Sequence, residues 1–187
     1  RALPLLLPLL NAPCPVIRMS AVYALGRNPS ESAIEMLLDL LLTDSNAYVR
    51  KATAWSLGNY PSAPVLEPLI HALKNDVAAV RIWAAGSLAK AGEAQTNKAD
   101  AAAIELLISM RIDTEPVVRS NCIWALGRLY ECLTGDRKQE LEDAFVKVLL
   151  DDLEASVRDE ARNALEHLDN PRIRKYLQSL IDEGALH

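Results

Sequence analysis

Val118-Arg119-Ser120-Asn121-Cys122-Ile123-Trp124-Ala125-Leu126-Gly127-Arg128 decides the fold. A β-branched residue precedes an Arg. A small residue follows three positions later, then a small residue and Leu at six and seven. The same order occurs at Ile17-Arg18…Ala21…Ala24-Leu25, Val49-Arg50…Thr53…Ser56-Leu57, Val80-Arg81…Ala84…Ser87-Leu88 and Val157-Arg158…Ala161…Ala164-Leu165. The Arg residues are spaced 32, 31, 38 and 39 apart. A period in that range, with steps of three and four inside it, belongs to stacked helical repeats. Each unit buries its apolar face only against its neighbours.

Upstream of each motif lies a second apolar stretch at matching offsets: Leu5-Leu6 with Leu9-Leu10, Leu37-Leu38 with Leu41-Leu42, Pro68-Leu69 with Ala72-Leu73, Leu106-Leu107 with Met110, and Phe145-Val146 with Leu149-Leu150. Each repeat therefore reads as an A helix, a short polar turn and a B helix starting at the motif. The spacing predicts A helices over 2–10, 31–43, 62–74, 99–111 and 137–150. It predicts B helices over 15–27, 47–59, 78–91, 116–131 and 155–168. The repeats span 1–28, 29–60, 61–92, 97–131 and 136–168, in one domain over 1–187. A last helix over 171–183, opened by Pro171, is expected to cap the array. Asp and Asn in the turns suit helix starts. Gly26, Gly58, Gly92 and Gly127 are expected as left-handed caps at the ends of B helices. Pro29, Pro61 and Pro64 then stop the helices. Polar loops are expected at 93–98 and 132–138. The chain opens on Arg1 inside a helical pattern, so further repeats are expected before it.

The pattern resembles HEAT repeats, and more narrowly the short HEAT-like repeats of the phycobilin lyase type. The resemblance implies an all-α, right-handed α–α superhelix of about five helix pairs, with B helices lining a concave groove. Departures are Ala89 in repeat 3 and Glu166 in repeat 5, where the pattern has Gly.

Net charge is −5, which argues against a nucleic-acid partner. Cys14, Cys122 and Cys132 form no zinc or disulfide spacing, which fits a reducing, cytoplasmic setting. No apolar run is long enough to span a membrane. No nucleophile elbow, phosphate loop or metalloprotease motif occurs. No catalytic residue, metal or required cofactor is expected, and catalysis is disfavoured.

At about 100° per residue, positions two, five and nine after the motif Arg share one helix face. Position five holds Tyr23, Trp55, Gly86, Trp124 and Asn163, and repeat 3 carries Trp83 at position two, where repeat 4 has Asn121. Position nine holds Arg27, Asn59, Lys90, Arg128 and His167. All three Trp residues of a chain that is only 5% aromatic thus fall on one face. Two readings stand: the rings line a groove for a partner, or they fill space between repeats. Aromatics and Arg are the usual anchors of interfaces. Arg18, Arg50, Arg81, Arg119 and Arg158 sit beside turn Asp residues and read as a structural ladder of Arg–Asp hydrogen bonds. The function expected first is a non-catalytic scaffold holding a protein partner in the groove. The first alternative, implied by the resemblance, is a phycobilin-lyase-like subunit handling a bilin and its carrier protein. A further alternative is docking of an iron–sulphur carrier, which needs Cys14 or Cys132 near the groove.

Overall fold

The computed structural model describes residues 3–60, 63–168 and 170–184. The expected helix starts at 2 and 62, and Pro61 as a stop, lie outside the described residues. Every described element is helical or a turn. The A helices are α1 (Leu3–Leu6), α3 (Ile34–Thr43), α5 (Leu66–Asn75), α7 (Ala99–Ile112) and α9 (Gly135–Asp151). The B helices are α2 (Pro15–Arg27), α4 (Ala47–Leu57), α6 (Ala78–Ala94), α8 (Pro116–Leu129) and α10 (Ala155–His167), and α11 (Pro171–Asp182) follows.

Local chemistry sets these limits. Pro8 has no N–H to give, so α1 passes into a 3-10 turn over Leu7–Asn11. Pro15, Pro116 and Pro171 sit in first turns, where the missing donor costs nothing. The Asn46 side chain accepts from the Tyr48 N–H at 2.9 Å and caps α4. The loop expected at 93–98 is mostly absorbed, because α6 runs on to Ala94 and a 3-10 turn covers Thr96–Lys98. Likewise α9 starts at Gly135 inside the second expected loop.

The motif positions form the core. Leu25, Leu57, Leu88, Leu126 and Leu165 are fully buried, as are Val49, Val80, Val118 and Val157. Successive B helices pack closely, whereas successive A helices touch sparsely. The stack therefore bends toward its B layer, which forms the inner side of an all-α superhelix.

The expected left-handed glycine caps are corrected by the structure. Among the described glycines only Gly184 has positive φ. Gly26 and Gly58 serve close approach instead. A Cβ on Gly58 would stand 2.5 Å from Ser87 Oγ, and one on Gly26 would stand 2.5 Å from Trp55 Cζ3. Small residues let neighbouring B helices meet nearly backbone to backbone, and the Ser87 hydroxyl donates across that seam to the Ala54 carbonyl at 2.7 Å.

Candidate functional site

Two surfaces repeat along the stack: the edge of A–B turns and the inner face of the B helices.

At the turn edge the first four motif Arg residues make the same bonds. Arg50 donates from Nε and Nη2 to both carboxylate oxygens of Asp76, at 2.7 Å each, and from Nη1 to the Asp44 carbonyl at 2.7 Å. Arg18 grips Asp44, Arg81 grips Asp113 and Arg119 grips Asp152 in the same fork. Such bidentate, charge-assisted bonds are the strong class. Each Asp also accepts a backbone N–H in its own turn, from Asn46, Val77, Glu115 or Glu154. Burial pushes the Asp44 and Asp76 carboxyls up, but hydrogen bonds from Arg and from the turn N–H outweigh it and leave both below the usual carboxylate value. The Arg119 hydrogen bond dominates at Asp152 and lowers it too. Arg158 differs. Its Nη1 donates to the carbonyls of Asp152 and Leu153, and no downstream Asp meets its fork among the described residues.

The inner face is irregular. A groove of about 410 Å³ is lined by Trp55, Ile82, Trp83, Gly86, Lys90, Asn121, Trp124 and Glu160, with Ser87 and Ser120 between them. These residues come from α4, α6, α8 and α10, so four successive helices build it. Trp83 and Trp124 keep 39% and 45% of their surface in water. Trp55 is half-buried: it leans on Gly26 and meets the Tyr23 ring at 5.4 Å, tilted by 56°. Trp124 lies over Gly86 and under the Arg128 guanidinium, 5.2 Å from the ring centroid. Glu93 fixes Arg128 by two bonds of 2.8 and 2.5 Å. Position nine is thus less free than the sequence suggests. Asn59 Nδ2 donates back to the Gly26 carbonyl at 3.1 Å, and Lys90 donates to Asn59 Oδ1 at 3.2 Å. Asn121 Nδ2 donates to the Val117 carbonyl while lining the groove. Arg27 is exposed and makes no ion pair among the described residues. Trp55, Trp83, Lys90, Asn121 and Trp124 therefore share one groove, and Tyr23, Arg27, Asn59 and Arg128 lie outside its lining. Glu160 and Ile82 belong to it and were not expected. Glu160 stands at position two of repeat 5, the signal that finds it.

Neither Cys14 nor Cys132 lines this groove. Burial pushes the Cys122 thiol up to about 12, which keeps it protonated and unreactive. Among the described residues no three His, Cys, Asp or Glu side chains gather as a metal site, and no helix is long and apolar enough to cross a membrane.

The model of the family described as HEAT repeats matches residues 1–58 and 34–127. The chain belongs to the HEAT repeats. No curated protein matches it. The complex of CpcE and CpcF of phycocyanin lyase from Nostoc sp. PCC7120 contains a chain 25% identical to this HEAT protein, with a TM-score of 0.67 over 87% of this chain and 97% of that one. An engineered protein is 23% identical, with a TM-score of 0.66 over 100% and 88%. A designed armadillo repeat protein in complex with the peptide (KR)4 is 22% identical, with a TM-score of 0.61 over 97% and 99%. The last two share the fold of this HEAT array.

Proposed function

We propose that this protein is a scaffold that holds a segment of a partner protein against the inner face of its B helices. The observation that carries this reading is the groove across α4, α6, α8 and α10 with two exposed indoles in it. Large flat rings left in water are the side chains most able to anchor an interface. Trp124 is held by Arg128 and Glu93, so little ordering is lost when a partner covers it. Lys90 and Glu160 line the same groove with opposite charges, which gives a bound segment a preferred direction.

Peptides selected by display against the wild-type protein test this, titrated by tryptophan fluorescence. Trp83→Ala with Trp124→Ala weakens binding by about 100-fold, the loss expected from two interface anchors. Selected peptides that bind the double variant as tightly as wild type sink the proposal.

A second reading rests on the likeness to the phycocyanin lyase chain over most of both lengths. On it the groove handles a tetrapyrrole or its carrier protein. Titration with phycocyanobilin decides between the two. A change in visible absorption that disappears in the same double variant favours the lyase-like reading, and an unchanged spectrum leaves the partner-protein reading.

A further inference from the structure

Two charges of the inner groove go unanswered by the rest of the molecule. Lys90 stands near the end of α6 and Glu160 near the start of α10, and both line the groove. The Lys90 ammonium reaches the amide oxygen of Asn59 at 3.2 Å and makes no ion pair among the described residues. Glu160 makes neither a hydrogen bond nor an ion pair among them, and it does not meet Lys90. Arg128, beside the groove, is already matched by Glu93. The rest of the lining is uncharged: Trp55, Ile82, Trp83, Asn121 and Trp124, with small residues between them. One cation and one anion thus stand unpaired at the two ends of an aromatic floor.

Repeat geometry fixes how far apart they are. The B helices run parallel in the stack, and Lys90 and Glu160 hold positions nine and two after their motif Arg. Seven residues of helix cover about 10 Å along the axis. Two steps between packed helices add about 16–20 Å across it. The line between the charges is therefore a diagonal of about 20 Å. Trp124, at position five of the helix between them, lies on that line.

The volume decides what kind of chain follows the diagonal. A groove of about 410 Å³ spread over about 20 Å has a cross-section of about 20 Å². A helix with its side chains is about 10 Å wide and needs about 80 Å². A helix therefore does not enter. An extended strand does, because it lowers alternate side chains into the groove and turns the others to water. At about 3.3 Å per residue the diagonal takes about six residues, an even number, so both ends of the strand point the same way.

We infer that the partner segment is an extended strand carrying an acidic and a basic residue six places apart, an inference that rests on the scaffold reading above and names its ligand. The acidic side chain pairs with Lys90 and the basic one with Glu160. The two side chains between them on the same face are apolar and lie against the exposed indoles. A segment with two acids or two bases sets one groove charge against its own sign, and this is how the site discriminates.

The probes are peptides selected from a random twelve-residue display library on the wild-type protein, labelled with fluorescein and read by anisotropy. The enriched sequences carry the acid and the base six apart. In the best of them, changing the acid to Lys or the base to Glu weakens binding to wild type by about tenfold. Lys90→Glu reverses the first preference and Glu160→Lys the second, so each variant binds best the peptide of matching sign. Both positions are partly exposed, and circular dichroism of the variants should match wild type. Protein charge reversals that leave the ranking of the peptides unchanged overturn the inference. So do enriched sequences with acid and base three or four apart, the spacing of a helix. Trp83→Ala with Trp124→Ala separates the two levels, because it weakens every peptide whatever its charges. Peptides that need the indoles and ignore the charges end this inference and leave the scaffold reading standing. Peptides that ignore the indoles, or a library that yields no binder, end both.

Discussion

The turn edge and the inner face are built on the same helices and obey different rules. At the turn edge the residues barely change from repeat to repeat. Arg18, Arg50, Arg81 and Arg119 each fork onto the following Asp. On the inner face no two repeats match. Trp83 stands a turn away from its counterparts, Gly86 takes the place they occupy, and Lys90 and Arg128 are held by different partners. Strict repetition marks where neighbouring repeats hold one another. Broken repetition, with side chains left in water, marks where something else is to be held.

The largest expected effect attacks the strict side. Arg81→Ala leaves Asp113 mostly buried with no guanidinium, and lowers stability in urea unfolding by about 3 kcal/mol. A loss below about 0.5 kcal/mol would show that the ladder is ornament and would erase the contrast. Acid probes the same edge. Asp44, Asp76 and Asp152 have folded-state values below the ordinary carboxylate value of about 4. Their contribution is present above that pH and is lost as the pH falls through the lowered folded-state values. Wild-type stability should drop below about pH 4, and Asp76→Asn should flatten that drop while lowering stability at neutral pH.

Glycine gives a smaller and sharper contrast. Gly58→Ala sets a methyl 2.5 Å from Ser87 Oγ and 3.2 Å from its Cα, and should destabilise by about 1–2 kcal/mol despite the helix preference for Ala. Gly127→Ala meets nothing within 4 Å and should stabilise by up to about 1 kcal/mol. Thermal melts of the two variants should move in opposite directions. The smallest expected effect on stability belongs to the two exposed rings of the inner face. Trp83→Ala with Trp124→Ala should shift unfolding by about 0.5 kcal/mol or less, typical of exposed positions. Trp55→Ala should cost about 2 kcal/mol, because its ring rests on Gly26 and Tyr23. Equal losses from all three rings would make the inner face ordinary packing.

The helices were legible because period and caps are local: α2, α7 and α10 begin where the spacing predicts and end within a residue of it. The direction of the ladder was not. Arg50 is nearer in sequence to Asp44 than to Asp76, yet it forks onto Asp76 and spends one nitrogen on the Asp44 carbonyl. Only the stacking of repeats decides that. The helical angle placed the three Trp residues on one face. Which of them is exposed depends on glycines of neighbouring helices, Gly26 under Trp55 and Gly86 beneath Trp124, and a single repeat does not reveal them.

The forked Arg–Asp pairs also have a mechanical meaning. They run along one edge as a chain of short, stiff links, while the A helices touch sparsely. In a bent beam, the line that resists stretching becomes the axis about which the rest deforms. Pulling or twisting this protein should leave the turn edge at constant length and fan the A helices apart about it. The superhelix then behaves as a leaf spring clamped along one side, whose curvature changes far more readily than its contour length.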